Sequence, residues 1–341
     1  MTQIEPQQVA DTQVGSAPTF RADPPPSQPP RAGAPGTPPK VVKRPGDRIF
    51  EGLSTGSGTL ILIILALVAA FLVAQGIPAF TSSVEDLPFG STLRYVVPLA
   101  FGTVWAAFLA MVMGVPVAIA IALFISHFAP RRLAAGLGYV IDLLAAVPSV
   151  VYGLWGISVL GPLVQPVYIW LTENLGFIPL FAGPASGTGR TIFTAALVLA
   201  VMILPIVTAL SREVFLQTPR LHEEAALALG ATRWEMIKMA VLPFARPGMI
   251  SASMLGLGRA LGETMAVALV LSPSAIISFA LLQSTNPNTI AANIALSFPE
   301  AYGLGTNQLI ATGLVLFVIT LAVNSIARAV INRRKEFSGA N

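Results

Sequence analysis

The 341-residue sequence contains no cysteine. Disulfides, thiolate metal sites and cysteine nucleophiles are excluded, and the redox compartment leaves no trace. Charge is scarce as well: Asp, Glu, Lys and Arg make up 11% of the chain, against roughly 25% in an average soluble domain. The only two histidines, His127 and His222, stand far apart without an acid-rich flank, so no metal site is expected. No Gly-Lys-Ser/Thr triplet occurs, which removes a P-loop. What the chain has instead is apolar length. It is 54% hydrophobic with a mean hydropathy of +0.75, and apolar runs of about 20 residues or more mark a polytopic membrane protein. The net charge of +4 is small, and no nucleic-acid partner is expected.

Eleven of the 28 prolines fall within the first 48 residues. With few apolar clusters, residues 1–48 cannot offset their ordering entropy and read as a disordered, Pro-rich cytoplasmic tail. The tail has no apolar stretch of the signal-peptide kind. Its PPPSQPP segment is open to a polyproline II ligand reading, with an unstructured extension the plainer one.

Six apolar spans follow, near 59–80, 95–128, 140–164, 191–210, 249–271 and 309–330. The second has 34 residues, more than an upright helix needs for a core of about 30 Å at about 1.5 Å per residue. It must tilt, kink at Gly114–Pro116 or project beyond the bilayer. The third carries Pro148 inside it. The stretch Ala275–Leu282 is apolar but too short to cross. The expected organisation is a tail (1–48), a first transmembrane helix with its external loop (49–90), a core with five transmembrane helices and the connection 212–249 (91–332), and a cytoplasmic C-terminus (333–341).

Lys and Arg placement orients the chain. With the tail inside, and counting from Lys40, fifteen basic residues fall on one side and two, Arg94 and Arg190, on the other. Both termini are therefore expected in the cytoplasm, consistent with an even span count.

The connection between spans four and five, residues 212–249, is too polar to insert. Pro219 sets its entry, and good helix formers run from Leu221 to Leu229 with Ala225, Ala226, Leu227 and Leu229 on one face. Gly230 supplies a stop. Thr232 and Glu235 have capping-box spacing for a second short helix, and Pro243 and Pro247 are expected to close the unit. A helix–Gly–helix element of this kind is suited to docking; the alternative is an amphipathic element lying on the headgroups.

Span five contains GLGRALGETMAVALV, residues 256–270. Arg259 and Glu263 are four apart, so a continuous helix would place them on one face, able to touch. Gly258 and Gly262 form a Gly-x-x-x-Gly pair for close helix packing. Charges inside a span are costly and face a bundle interior or a watery path. A self-satisfied ion pair is one reading. The other gives Arg259 the binding of a passing tetrahedral oxyanion through its fork of donors. Glu263 would then hold the guanidinium when the site is empty and keep the anion from binding too tightly to leave. Around Pro148, Ser149 and Tyr152 are candidates to line a cavity or to satisfy a neighbouring helix. Asp142 reads as a solvated juxtamembrane acid, and Trp170 as an interfacial anchor.

Glu224-Ala225-Ala226, Gly230 and Leu242-Pro243, in that spacing, resemble the EAA loop of type I ATP-binding-cassette importer permeases. The departure is Ala240, where that family usually has Ile. The resemblance implies an all-α permease fold of six transmembrane helices, with this loop coupling to a cytoplasmic ATPase. Residues 256–270, together with LAAVPSVVYGLWG at 144–156, resemble the phosphate-specific branch of PstC type. That likeness covers roughly residues 50–335 and leaves the tail outside. It implies a permease subunit of an ATP-driven phosphate importer in the bacterial plasma membrane, itself not an enzyme. Implied partners are a second phosphate permease, an ATPase dimer holding ATP and Mg, and an extracytoplasmic phosphate-binding protein. No cofactor is expected on this chain. The longest external segment, about 37 residues between spans five and six, is too small for a binding domain. Three rivals stay open: a PstA-type partner, a sulfate or molybdate permease, and a secondary transporter using Arg259 and Glu263 as a proton-linked site.

Overall fold

The structure is a computed structural model describing residues 45–335. Most of the tail, its PPPSQPP segment included, and the last six residues of the C-terminal segment lie outside the described residues. The chain divides into a unit ending at Thr59 and a unit from Leu60 onward. In the first, residues 45–59 are the start of a helix, with exposed side chains from Gly46 on.

Twelve α-helices are described: α1 (Pro45–Thr81), α2 (Thr92–Leu123), α3 (Arg131–Ala145), α4 (Ser149–Trp155), α5 (Gly161–Leu175), α6 (Ile192–Leu216), α7 (Arg220–Ala228), α8 (Arg233–Met236), α9 (Leu242–Gly262), α10 (Met265–Val270), α11 (Ile290–Ser297) and α12 (Leu304–Lys335). Three five-residue π-helical turns, Phe124–Phe128, Gly156–Leu160 and Ile237–Val241, follow α2, α4 and α8 without ending the helical path. Six helical stretches are long and apolar enough to cross a membrane: Gly46–Thr81, Thr92–Phe128, Ser149–Leu175, Ile192–Leu216, Arg233–Gly262 and Leu304–Ala329. The expected six spans are present, with shifted boundaries.

The packing centre is α2 against α6 and α9. Along α2, Pro98, Gly102, Ala106, Ala110, Gly114, Ala118 and Ala122 recur at every fourth position and are all buried. Positions four apart form one ridge on a helix. A ridge this low lets neighbouring backbones approach, which supplies dispersion contacts where lipid offers no hydrophobic drive between helices. Ala106 and Ala110 pack with Val198, Leu199 and Met202 of α6. Ala118 meets Val207 and Ala252, and Ala122 meets Phe215, Ile237 and Val241. A Cβ on Gly114 would lie 3.1 Å from the Ala200 carbonyl oxygen and from Ile203. The Thr208 hydroxyl donates to the Ala118 carbonyl at 3.3 Å, adding a polar tie across this contact.

Span three differs from the expectation. Pro148 does not lie inside it but is the N-cap of α4, so the span starts at Ser149 and runs to Leu175. A proline disfavours helical backbone in the residue before it, and α3 accordingly stops at Ala145. The Tyr152 hydroxyl donates to the Leu144 carbonyl at 2.9 Å, which also accepts the Val147 N–H at 3.2 Å, tying the two sides of the break together. What precedes is a separate amphipathic helix. In α3, Gly138 and Ile141 are buried while Leu133, Tyr139, Val140 and Leu143 are exposed, as is Asp142.

Between α10 and α12 the chain returns into the protein. Pro273–Ser274 (β1) and Asn286–Pro287 (β2) pair in parallel as a two-residue ladder. The apolar stretch 275–282 is not helical, and Ala280, Leu281 and Leu282 are buried. Its backbone is satisfied by protein: Leu281 N–H donates to Leu180 (2.8 Å), Ser186 N–H to Leu282 (2.7 Å) and Phe193 N–H to Leu281 (3.4 Å). Irregular backbone in a membrane protein requires such partners. Asn286 accepts from the Ile192 N–H at 3.0 Å and donates to the Arg190 carbonyl, joining this segment to the start of α6. Gly102 lies against the Asn288 carbonyl, so close that any Cβ there would overlap it.

Gly102→Val is therefore expected to lower the thermal midpoint of the purified protein in detergent, by about 1–3 kcal/mol of overpacking or more. Gly136→Ala, on α3 with open space around the new methyl, should leave the midpoint unchanged or raised.

Candidate functional site: a broken helix, a cavity and a paired-helix connection

The helix bearing Arg259 ends at Gly262. Glu263 is its C-cap, in extended backbone (φ −69°, ψ 127°), and a new short helix, α10, begins at Met265. The expectation that Arg259 and Glu263 share one helix face is therefore corrected: the helical repeat stops between them, and they form no ion pair within 4.0 Å. Instead the Glu263 carboxylate accepts from the Ala266 N–H at 3.0 Å. It thereby satisfies one of the orphan donors at the start of α10, where a negative charge also suits the positive end of the helix dipole. The carboxylate is buried, with Glu263 at 9% exposure.

At the other end of α10, the Arg190 guanidinium donates to the carbonyls of Leu269 and Leu271, both at 3.2 Å. A cation at a helix C-terminus complements the free carbonyls there. A six-residue helix with an acid at its start and an arginine at its end is pinned from both sides. In the sequence Arg190 stands out only as a rare basic residue of the external loops.

Arg259 points elsewhere. Together with Ser251 and Gly258 of α9, and Asn324 and Arg328 of α12, it lines a cavity of about 620 Å³. Its Nε is buried and has no hydrogen-bond partner. Among the described residues, nothing approaches within 4 Å of where a Cβ would stand on Gly258 or Gly262, so that pair packs no described helix. The close approaches on α9 are instead at Gly248, against Val214, and Gly256, against Val207. Gly258 and Gly262 thus leave that face of α9 open.

The 212–249 connection forms the two helices read from the sequence. Pro219 is the N-cap of α7. Gly230 follows α7 in the left-handed region (φ +84°), with open space around it. Thr232 and Glu235 form the capping box in both directions, Thr232 N–H to Glu235 at 2.8 Å and Glu235 N–H to Thr232 at 3.3 Å. The unit does not close at Pro243 and Pro247, however. α8 runs through the π turn into α9, so the second helix is the first part of span five. Pro243 lies two residues past the π turn within this continuous path, so a carbonyl of the preceding turn loses its N–H donor there.

Leu242 and Ala226 pack onto the small core of Phe215, Met236 and Ile237, whereas Glu224, Ala225 and Leu229 are exposed. Leu229 is 90% exposed. Ala225, Leu229, Gly230 and Ala240 border a second cavity, of about 640 Å³. A short α7 without a buried residue of its own leaves Leu221, Leu227 and Leu229 exposed. The sequence did not reveal that His127, on the π turn after α2, lies 3.6 Å from Glu223 of α7, a pair joining this unit to span two.

Residues 114–336 match the family described as binding-protein-dependent transport system inner membrane component. The chain belongs to this family. Among similar proteins are the phosphate transport system permease protein PstC 2 of Mycobacterium tuberculosis, 45% identical over 305 residues covering 84% of this chain and 92% of the relative, and the PstC protein of Xylella fastidiosa strain Temecula1, 40% identical with 87% and 98% covered. The fold of the permease is that of type I ABC importer permeases. A chain from the crystal structure of a bacterial ABC transporter that imports alginate superposes with a TM-score of 0.55 at 16% identity, over 85% of this chain and 99% of that one. The permease is thus a multi-pass protein of the plasma membrane.

Glu263→Gln keeps an oxygen acceptor for Ala266, so its thermal midpoint should stay near the parent's. Glu263→Ala removes that acceptor and should cost about 1–3 kcal/mol, read as a lower midpoint in the same detergent.

Proposed function

We propose that the permease is the PstC-type subunit of an ATP-driven importer of inorganic phosphate. The observation that carries this reading is the 45% identity over 92% of a relative that bears the phosphate permease name. Arg259 adds chemical support, since a guanidinium with an unpartnered Nε at a cavity is a donor awaiting an oxyanion. In this reading Arg259 contacts phosphate as it passes. Glu263, across the helix break, fixes α10 and places a negative field near the path that limits how tightly the anion is held.

The remaining parts follow from the family and its phosphate permease relatives. A second phosphate permease covers the open α9 face around Gly258 and Gly262. A cytoplasmic ATPase dimer, holding ATP and Mg, takes the exposed α7 face through Glu224, Ala225 and the turn at Gly230, while Ala226, Leu242 and Pro243 anchor that unit to span five. An extracytoplasmic binding protein delivers phosphate from the other side. Both termini lie in the cytoplasm, as the basic residues indicate.

Two measurements test this. In vesicles carrying the full complex, Arg259→Gln should reduce phosphate uptake at least about a hundredfold, by losing a charge-assisted fork in a low-dielectric site, with assembly intact; uptake at the parental rate ends the pathway role. Gly230→Val forces a β-branched residue into left-handed backbone, at about 1–2 kcal/mol. It should weaken co-purification of the ATPase and lower uptake, and unchanged values of both count against docking at this turn. Uptake that persists without any ATPase subunit would favour a secondary transporter, and growth on limiting sulfate or molybdate rather than phosphate would favour another oxyanion.

A further inference from the structure

The cavity beside Arg259 has a second wall that the sequence marked only as a topology signal. Asn324 and Arg328 on α12 are four residues apart, hence on one helix face, and both line the space that Arg259 borders from α9. No carboxylate is among the residues lining it. Among the described residues, neither Asn324 nor Arg328 makes a hydrogen bond or ion pair, and the Arg259 Nε is buried without a partner. The Ser251 hydroxyl at the same cavity is committed to the Pro247 carbonyl at 3.0 Å. The free donors on its rim are therefore two guanidinium groups and one amide.

Two like charges bordering one cavity without an acid between them repel one another, and an anion placed there relieves both. The planar fork of each arginine matches the oxygen geometry of a tetrahedral oxyanion, and the Asn324 amide adds a neutral donor. A cavity of about 620 Å³ also leaves room for an anion that keeps part of its water.

We propose that Asn324 and Arg328 form a second oxyanion station of the transport path, beside Arg259 and on the α12 wall of this cavity. The proposal rests on the phosphate reading and extends it: the anion is handed from one arginine to a pair, so that no single contact has to be strong. Weak, multiple sites are what a path needs for an ion to leave it. Arg328 thereby has a task beyond anchoring the end of a span.

The test uses the complete complex in proteoliposomes, with phosphate-loaded binding protein outside. Arg328→Gln should lower the maximal uptake rate about tenfold, the scale of one lost charge-assisted contact, with KM, set by delivery from the binding protein, unchanged. Asn324→Ala should lower it several-fold. Arg328→Lys keeps the positive charge and the topology but not the fork, and should fall between the parent and the Gln variant. Parental rates in both Asn324→Ala and Arg328→Lys overturn the station and leave Arg328 a topological anchor. If Arg328→Gln does not assemble, Asn324→Ala decides the matter, since it alters no charge: a lowered rate supports the station and a parental rate overturns it. Loss of uptake in Arg259→Gln alongside parental rates in the α12 variants sinks only this proposal. A parent complex that moves no phosphate sinks the phosphate reading and the station together.

Discussion

Everything in the helical core depends on how closely α2 lies to its neighbours. Seven small or proline residues at every fourth position, from Pro98 to Ala122, remove side-chain bulk from one ridge of a long helix. In a bilayer, helices gain little by hiding apolar surface from lipid, so contact area and short backbone separation carry the association. The ridge fixes α6 and α9 relative to α2, and at its upper end Gly102 admits the Asn288 carbonyl. That last contact seats the returning segment 271–289, while α10 itself rests on α4, α6 and α11. The core and the candidate path are thus consequences of one run of small residues.

The break at Glu263 has its own logic. A helix that ends inside a protein exposes carbonyls on one side and N–H groups on the other. Here the acid serves the new helix start and Arg190 serves its far end. An ion pair between Arg259 and Glu263 would have consumed both charges. Separating them by a helix end leaves the arginine free toward the cavity and gives the carboxylate a structural partner. The same residue types support opposite readings depending on whether the backbone between them is helical, and four-residue spacing alone does not decide that.

Much of this was legible beforehand. The number of spans, the Gly230 stop and the Thr232–Glu235 capping box all follow from local rules, because each depends on one contiguous stretch of chain. The boundaries of spans three and five were misplaced for a different reason. Hydropathy weighs Val140 and Leu143 like any core residues, yet they sit on a separate amphipathic helix because Pro148 interrupts the backbone. In span five Pro247 reads as a stop, but a long, packed helix tolerates it. The small-residue ridge was present in the sequence as a strict period of four, visible to a search for spacing by size rather than by hydropathy. The Arg190 cap, the His127–Glu223 pair and the placing of Arg259 and Arg328 on one cavity join residues distant in the chain, and no local pattern encodes them.

The π turn at Ile237–Val241 bears on how α7 and Arg259 are related. Such a turn holds one residue more than an α-helical turn needs. With about 100° of rotation per residue, that single extra residue sets which way every later side chain on α9 faces. Were the turn wound as ordinary α-helix, Arg259 would be carried roughly a quarter-turn around the axis and off the cavity wall it now borders. The azimuth of the arginine is therefore set some twenty residues away, beside the paired-helix connection, so that the fold holds the two regions in register as phase along a single rod.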